Sequence, residues 1–347
     1  MTAAEVRPRL AYLALGGTIA SVGRHGEGAV VSLSGSEILG SLPGIAAVAD
    51  VDVRSFRQLP GAELTMADLL ALAEEIRRLF RAGVDGVVVT QGTDTLEETA
   101  FVLDLLIEED APVVLTGAMR NPSVPGADGA ANLLAAIQVA AAGTTRGQGA
   151  VVVFNDEIHA ARLVRKRHTS STATFGSPSA GALGYVTEGK VELLLRTPGR
   201  LILRLPDAPD PARVALITIG FDDDGALLQG IETDFDGVVV AGYGGGHVPS
   251  RIVPLLDHLN QRIPVILASR TFFGPMLTRT YGFPGSEMDL LSRGLISSAA
   301  VDPIHARILL RLLLMAHASR STIAQSFQQV LTVRDKQVVD PTCDDAR

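Results

Sequence analysis

The chain has 347 residues, 47% of them hydrophobic, with a formal net charge of -8 and a single cysteine. That length suits two domains with buried cores, and an acidic surface argues against nucleic acid or an anionic membrane as partner, since both call for a basic face. The lone Cys343 excludes a disulfide within one chain and suits a reducing compartment.

The first predicted strand is the apolar run 10–15, too short for the core of a signal peptide and preceded by Glu5, Arg7 and Arg9. Strands follow at 51–56, 86–90, 112–116 and 149–154, with helices at 34–41, 65–81, 95–108 and 128–142 between them. In the helix at 65–81, Leu69, Leu70, Leu72, Ala73, Ile76, Leu79 and Phe80 fall on one face. The rhythm then changes. Residues 157–200 read as loops and a hairpin, with strands 183–186 and 191–195 flanking Glu188-Gly189-Lys190. The proline-rich stretch 205–211 resists both helix and sheet. Strands resume at 214–219, 237–241 and 264–268, and helices at 250–260 and 303–316. From about Asp335 the chain turns polar and is expected to fray.

The fold class is therefore α/β: a larger N-terminal parallel-sheet domain over 1–200, a linker at 201–212, and a smaller C-terminal α/β domain over 213–347. No repeat at a fixed period appears. No apolar stretch reaches the roughly 18 residues of a spanning helix; even 308–316 is broken by Arg311. A cytoplasmic protein without a membrane partner is expected.

In open parallel sheets, ligands bind beyond the carboxyl ends of the strands, so the residues just after each strand matter most. After the first strand comes Gly16-Gly17-Thr18-Ile19-Ala20-Ser21, which places Thr18 at a tight turn. An ordinary glycine-rich turn with Thr18 as a helix cap would use the same residues. The glycine-bearing stretch 22–29 behind it could serve as a lid. After 86–90 comes Gln91-Gly92-Thr93-Asp94-Thr95-Leu96-Glu97-Glu98, with hydroxyls and a carboxylate at a helix start, where free N–H groups favour developing negative charge. Capping by Asp94 or Thr95, with Glu97 or Glu98 reaching back, is the competing explanation. After 149–154 lie Asn155-Asp156-Glu157 and the basic residues Arg162, Arg165, Lys166 and Arg167. Such a run can be a solvated face; a lysine held beside a hydroxyl can instead act as a base for that weak nucleophile.

In order, Gly16-Gly17-Thr18-Ile19-Ala20-Ser21, Gly92-Thr93-Asp94-Thr95-Leu96-Glu97-Glu98-Thr99-Ala100, Pro112-Val113-Val114-Leu115-Thr116-Gly117-Ala118-Met119-Arg120, Ala127-Asp128-Gly129, Asn155-Asp156 with Lys166, and Ala173-Thr174-Phe175 resemble the bacterial-type L-asparaginase family. The resemblance implies an amidohydrolase acting on a small amide without a cofactor. Its site would lie at the edge of the N-terminal sheet, in a homodimer or homotetramer whose partner subunit completes each site. By the same carry-over Thr18 is the nucleophile, Thr93 and Lys166 form a hydroxyl–amine pair that moves protons, and Asp94 binds the substrate's α-amino group. Gly61, Ala62, Gly92, Ala118 and His247 fall at substrate-binding positions.

The chain departs from the family's pattern mainly in substrate recognition. Ala29 stands where the lid carries a tyrosine, and Gln91 stands where a histidine precedes Gly-Thr-Asp. Pro60-Gly61-Ala62-Glu63 lacks the serine that holds an α-carboxylate, and His247 replaces an asparagine. Arg24 or His25 is a candidate substitute for the lid tyrosine. These losses leave room for a different amide such as L-glutamine, for a larger amide as in an amidotransferase subunit, or for a ligand-binding relative with weak turnover. A nucleotide-binding protein is a weaker alternative, because neither Gly-x-Gly-x-x-Gly nor a P-loop follows the first strand. No metal spacing is evident, since His159, His168 and His247 are scattered.

Overall fold

The computed structural model describes residues 7–23 and 28–340. The chain divides into two compact units, Met1–Thr197 and Pro198–Arg347.

In the first unit, β1 (Arg9–Ala14), β2 (Asp50–Ser55), β3 (Gly86–Thr90), β4 (Val113–Thr116), β5 (Ala150–Phe154), β6 (Glu157–Ala160), β7 (Gly184–Thr187) and β8 (Lys190–Leu193) form one sheet. Its order is β8-β7-β6-β5-β4-β3-β1-β2. Strands β2, β1, β3, β4 and β5 run parallel, and β6, β7 and β8 extend the sheet antiparallel. The hairpin expected around Glu188-Gly189-Lys190 is the β7–β8 pair.

The helices are α1 (Gly35–Gly40), α2 (Met66–Arg81), α3 (Leu96–Leu106) and α4 (Gly129–Ala142). Every residue of β3, β4 and β5 is buried, the mark of a sheet covered on both faces. On one face Tyr12, Val88, Val114 and Val151 pack with Ile38 of α1 and with Leu133 and Ile137 of α4. The alternate residues Leu13, Val87, Val89 and Leu115 are equally buried on the other face, where α3 lies against β5 and α2 against α3. Two helix starts are set by reciprocal caps: Ser34 with Glu37, and Thr65 with Asp68.

In the second unit, β9 (Val214–Thr218), β10 (Gly237–Gly242), β11 (Val265–Ser269) and β12 (Ile296–Ser297) form a parallel sheet in that order. Its helices include α5 (Val253–Asn260), α6 (Pro303–Met315), which packs on β9, β10 and β11, and α7 (Arg320–Gln329). The stretch expected as linker carries a short strand, Leu201–Leu203, which pairs in parallel with Gln337–Val339 of the supposedly frayed end. Its three apolar side chains are buried, and the pairing satisfies main-chain groups that a frayed end would leave to water. Among the described residues, no helix is long and apolar enough to cross a membrane.

Candidate functional site

Strands β2, β1 and β3 are neighbours, and their carboxyl ends converge. The pairing continues past the strands: the Leu15 N–H donates to Thr90 O at 2.8 Å and the Leu59 N–H to Leu15 O at 3.0 Å. Beyond that point the three loops touch through glycines. Gly17 has φ +83°, and a Cβ on it would lie 2.1 Å from the Gly92 nitrogen; one on Gly92 would lie 2.7 Å from the Gly61 nitrogen. Only main chain fits here, and the contact brings Thr18, Gly61 and Thr93 to one rim. The Thr95 hydroxyl donates to Gly61 O at 2.9 Å and the Ser21 hydroxyl to Gly17 O at 2.9 Å, which fixes the loops further.

Thr93 opens a 3-10 turn, Thr93–Thr95, that runs into α3. The start of a helix offers unpaired N–H groups and a partial positive charge. Lys166 reaches this turn from a two-residue strand, Arg165–Lys166, that pairs antiparallel with Phe175–Gly176. Its Nζ donates to Thr93 Oγ1 at 2.9 Å and to Asp94 Oδ1 at 2.6 Å. An amine group placed between a hydroxyl and a carboxylate is positioned for proton exchange with the hydroxyl. Thr93 is 5% exposed, whereas the Asp94 side chain is 74% exposed and open to a ligand. Thr95 is the N-cap residue of α3, as the capping explanation allowed, but its side chain makes no cap bond. Glu97 faces Lys166 instead.

Thr18, Gly61, Gly92, Thr93, Asp94 and Lys166 all line one cavity of about 540 Å³. The Thr18 hydroxyl makes no hydrogen bond among the described residues. Ala62 follows Gly61 on the same turn but is exposed and outside the lining. Ala118 is fully buried, and its Cβ lies beside Gly129. The next residue, Met119, lines the cavity, and its N–H donates to Asp128 Oδ2 at 3.0 Å. The Ala127-Asp128-Gly129 motif thus holds the loop after β4. Ala29 lines the cavity beside Val30 and Val31, which pair with Ser21–Val22 as a short antiparallel flap. Arg24 and His25 lie outside the described residues.

His247 belongs to the second unit. Its Nε2 lies 3.1 Å from Glu287 Oε2, and its ring stands edge-on to Tyr281 and Phe283 at 5.0 and 5.2 Å. Burial pushes the Glu287 carboxyl up, but N–H groups of Tyr281 and Thr280 and the His247 ring outweigh it and leave it below the usual range.

Gln58 and Thr169 also line the cavity, and the motif reading did not single them out. Gln58 sits in the loop after β2, where the strand-end rule would have found it. Thr169 lies three residues after Lys166 in a segment read only as a basic run. Gln91 is fully buried, and its Nε2 lies 3.3 Å from Thr95 Oγ1. Among the described residues, no cluster of His, Cys, Asp and Glu could hold a metal ion.

Comparison with known proteins shows which family the chain belongs to. The family described as "Asparaginase, N-terminal" matches residues 9–198, and the "Glutaminase/Asparaginase C-terminal domain" matches residues 213–327. An L-asparaginase of Bacillus licheniformis is 36% identical over 316 residues, covering 89% of this chain and 96% of that protein. A probable L-asparaginase of Deinococcus radiodurans is 37% identical over 327 residues, 93% of this chain and 98% of its own length. The crystal structure of a probable cytoplasmic L-asparaginase from Campylobacter jejuni superposes with a TM-score of 0.83 at 31% identity, covering 93% of this chain and 99% of that one. With both halves matched and the architecture shared over 93% of its length, the chain belongs to the asparaginase family.

Proposed function

We propose that the protein hydrolyses L-asparagine to L-aspartate and ammonia through a threonine acyl-enzyme. As Thr18 attacks the side-chain carboxamide carbon, its hydroxyl proton passes to the Thr93–Lys166 pair, which returns a proton to the nitrogen as the C–N bond breaks and ammonia leaves; water then cleaves the Thr18 ester, releasing L-aspartate and restoring the hydroxyl. Asp94 receives the substrate's α-ammonium group, and N–H groups at the start of the Thr93 turn face the developing oxyanion. The observation that carries this reading is the 2.9 Å bond from Lys166 Nζ to Thr93 Oγ1 in the cavity that Thr18 also lines. Relatives named L-asparaginase, which match nearly the whole chain, support the substrate. Ammonia release from a panel of amides tests it. Turnover of L-asparagine that Thr18→Ala and Thr93→Ala each abolish is the expected result; no turnover on any amide would overturn it.

A second reading is that another small amide, such as a derivative of L-glutamine without a free α-carboxylate, is preferred. It is favoured by the loop after β2, where Gly61 and Ala62 supply no hydroxyl for an α-carboxylate. The same panel separates the two by kcat/KM.

We infer a homodimer or homotetramer. The exposed Phe221, Phe273, Tyr281 and Phe283 of the second unit support association. A native mass measurement decides it, with a monomer as the contrary result. A cytoplasmic location is part of the proposal and is supported by the likeness to the probable cytoplasmic L-asparaginase of Campylobacter jejuni; fractionation of the source cells tests it.

A further inference from the structure

Lys166 carries its amine on a flexible four-carbon stem, and its strand is only two residues long. Something beyond that ladder must hold its main chain if the amine is to stay against Thr93. We propose that Glu97 is that positioning residue. Its buried carboxylate ties the strand bearing Lys166 to the helix start bearing Thr93 and Asp94, and so fixes the amine–hydroxyl pair.

Three observations carry this. Glu97 lies one helical turn after Thr93, so the two side chains rise from the same side of the helix start. It is 5% exposed, an unusual place for a carboxylate unless its partners are fixed. Its two oxygens serve consecutive residues of the other element: Oε2 accepts the main-chain N–H of Lys166, and Oε1 lies 3.2 Å from Arg165 Nε. The Arg165 side chain is itself 12% exposed, so the guanidinium is held and not free to stray into solvent. One carboxylate thus grips Lys166 at its own nitrogen and again at its neighbour. Without the grip, the amine would drift relative to a hydroxyl that is itself fixed on α3. An offset of about 1 Å at a reacting group can lower turnover roughly a hundredfold. Glu97 touches no substrate; it acts through Lys166.

This inference rests on the reading of Thr93 and Lys166 as the proton-transferring pair, and the test keeps the two apart. Glu97→Gln, Glu97→Asp, Lys166→Met and Thr93→Ala are compared with wild type on the best amide of the panel, with kcat and KM determined separately and folding followed by circular dichroism and thermal unfolding. The expected result for Glu97→Gln is a kcat lower by roughly 10–100-fold with KM within about twofold. Glu97→Asp, which keeps the charge but retracts it by one methylene, recovers part of the loss. A general loss of structure would move KM and the unfolding temperature as well. Should Glu97→Gln not fold, Arg165→Gln removes the carboxylate's other partner and is read in the same way, with a smaller fall in kcat. If the folded variant keeps kcat within twofold while Lys166→Met and Thr93→Ala lose turnover, the clamp is wrong and the proton pair stands. If Lys166→Met and Thr93→Ala both retain wild-type turnover, the pair fails and the clamp with it.

Discussion

Lys166 and Thr93 are 73 positions apart in the chain, yet the Lys166 amine lies 2.9 Å from the Thr93 hydroxyl. The main chain on each side has holds apart from this bond: Glu97 accepts the Lys166 N–H, and Thr93 belongs to the turn that opens α3. Under the proposed mechanism this contact is where activity is expected to be lost with the fold kept. Lys166→Met should keep the circular dichroism spectrum and lower kcat by about 10²- to 10⁴-fold, the usual worth of a positioned acid–base group. Steady-state ammonia release checks it; a kcat within a few-fold of wild type would refute the role given to the amine.

Gly17 is where the loops after β1 and β3 meet main chain to main chain. Alanine there would combine a left-handed conformation with a Cβ 2.1 Å from the Gly92 nitrogen. The loops would have to separate, at a cost of roughly 2–4 kcal/mol. Denaturant unfolding of Gly17→Ala should show that loss, and turnover should fall with it because Thr18 and Thr93 are displaced together. Retention of wild-type stability would mean that the loops yield more easily than their packing indicates.

Asp68 caps α2, and its carboxyl is held down at about 2 from an ordinary 3.8 by the Thr65 hydroxyl first, then by Arg57 and the Thr65 N–H. A carboxyl lowered by folding stabilises the folded chain fully above its ordinary value, and that stabilisation fades as pH falls through the folded value. Wild type should therefore exceed Asp68→Asn in stability above about pH 5. The two should converge between pH 4 and about 2. Chemical unfolding across that range is the measurement, and a difference independent of pH would exclude the carboxylate as its source.

A buried pair closes the far side of the first unit: Arg162 Nε lies 3.2 Å from Asp104 Oδ2, with both side chains under 5% exposed. Asp104 Oδ1 also accepts the Ala150 N–H at 3.2 Å, which links α3 to the start of β5. Arg162→Met leaves a buried carboxylate without its cation and should destabilise by about 3–5 kcal/mol. Arg162→Met combined with Asp104→Leu should lose less than the sum of the two single changes. Additivity in unfolding free energies would show that the pair is not coupled.

Much of this molecule could be read from its sequence because its strands are buried runs punctuated by capped helices. Ser34 and Thr65, where the helical pattern was expected to begin, are the observed caps. The lining of the cavity was legible wherever a motif sits directly behind a strand, as with Gly17-Thr18 and Gly92-Thr93. It was less legible where the contact depends on a third dimension. Nothing local in Glu97 distinguishes a capping carboxylate from one that grips a strand 69 positions away. Gln58 and Thr169 are ordinary polar residues until the fold turns them to the cavity. The strand pair Leu201–Leu203 and Gln337–Val339 was hidden for a related reason: three residues carry too little periodicity to announce a strand, and their partner lies at the other end of the unit.

The touching glycines at the rim have a consequence for how this enzyme could change its preferences. The centre of that rim is bare backbone, so there is no side chain to swap without prising the loops apart. Variation that alters which amide is accepted must enter from the perimeter, through Gln58, Met119, Thr169 and the flap that ends at Val31. A library restricted to those positions would explore substrate choice while leaving the hydrolytic machinery on an unchanged foundation.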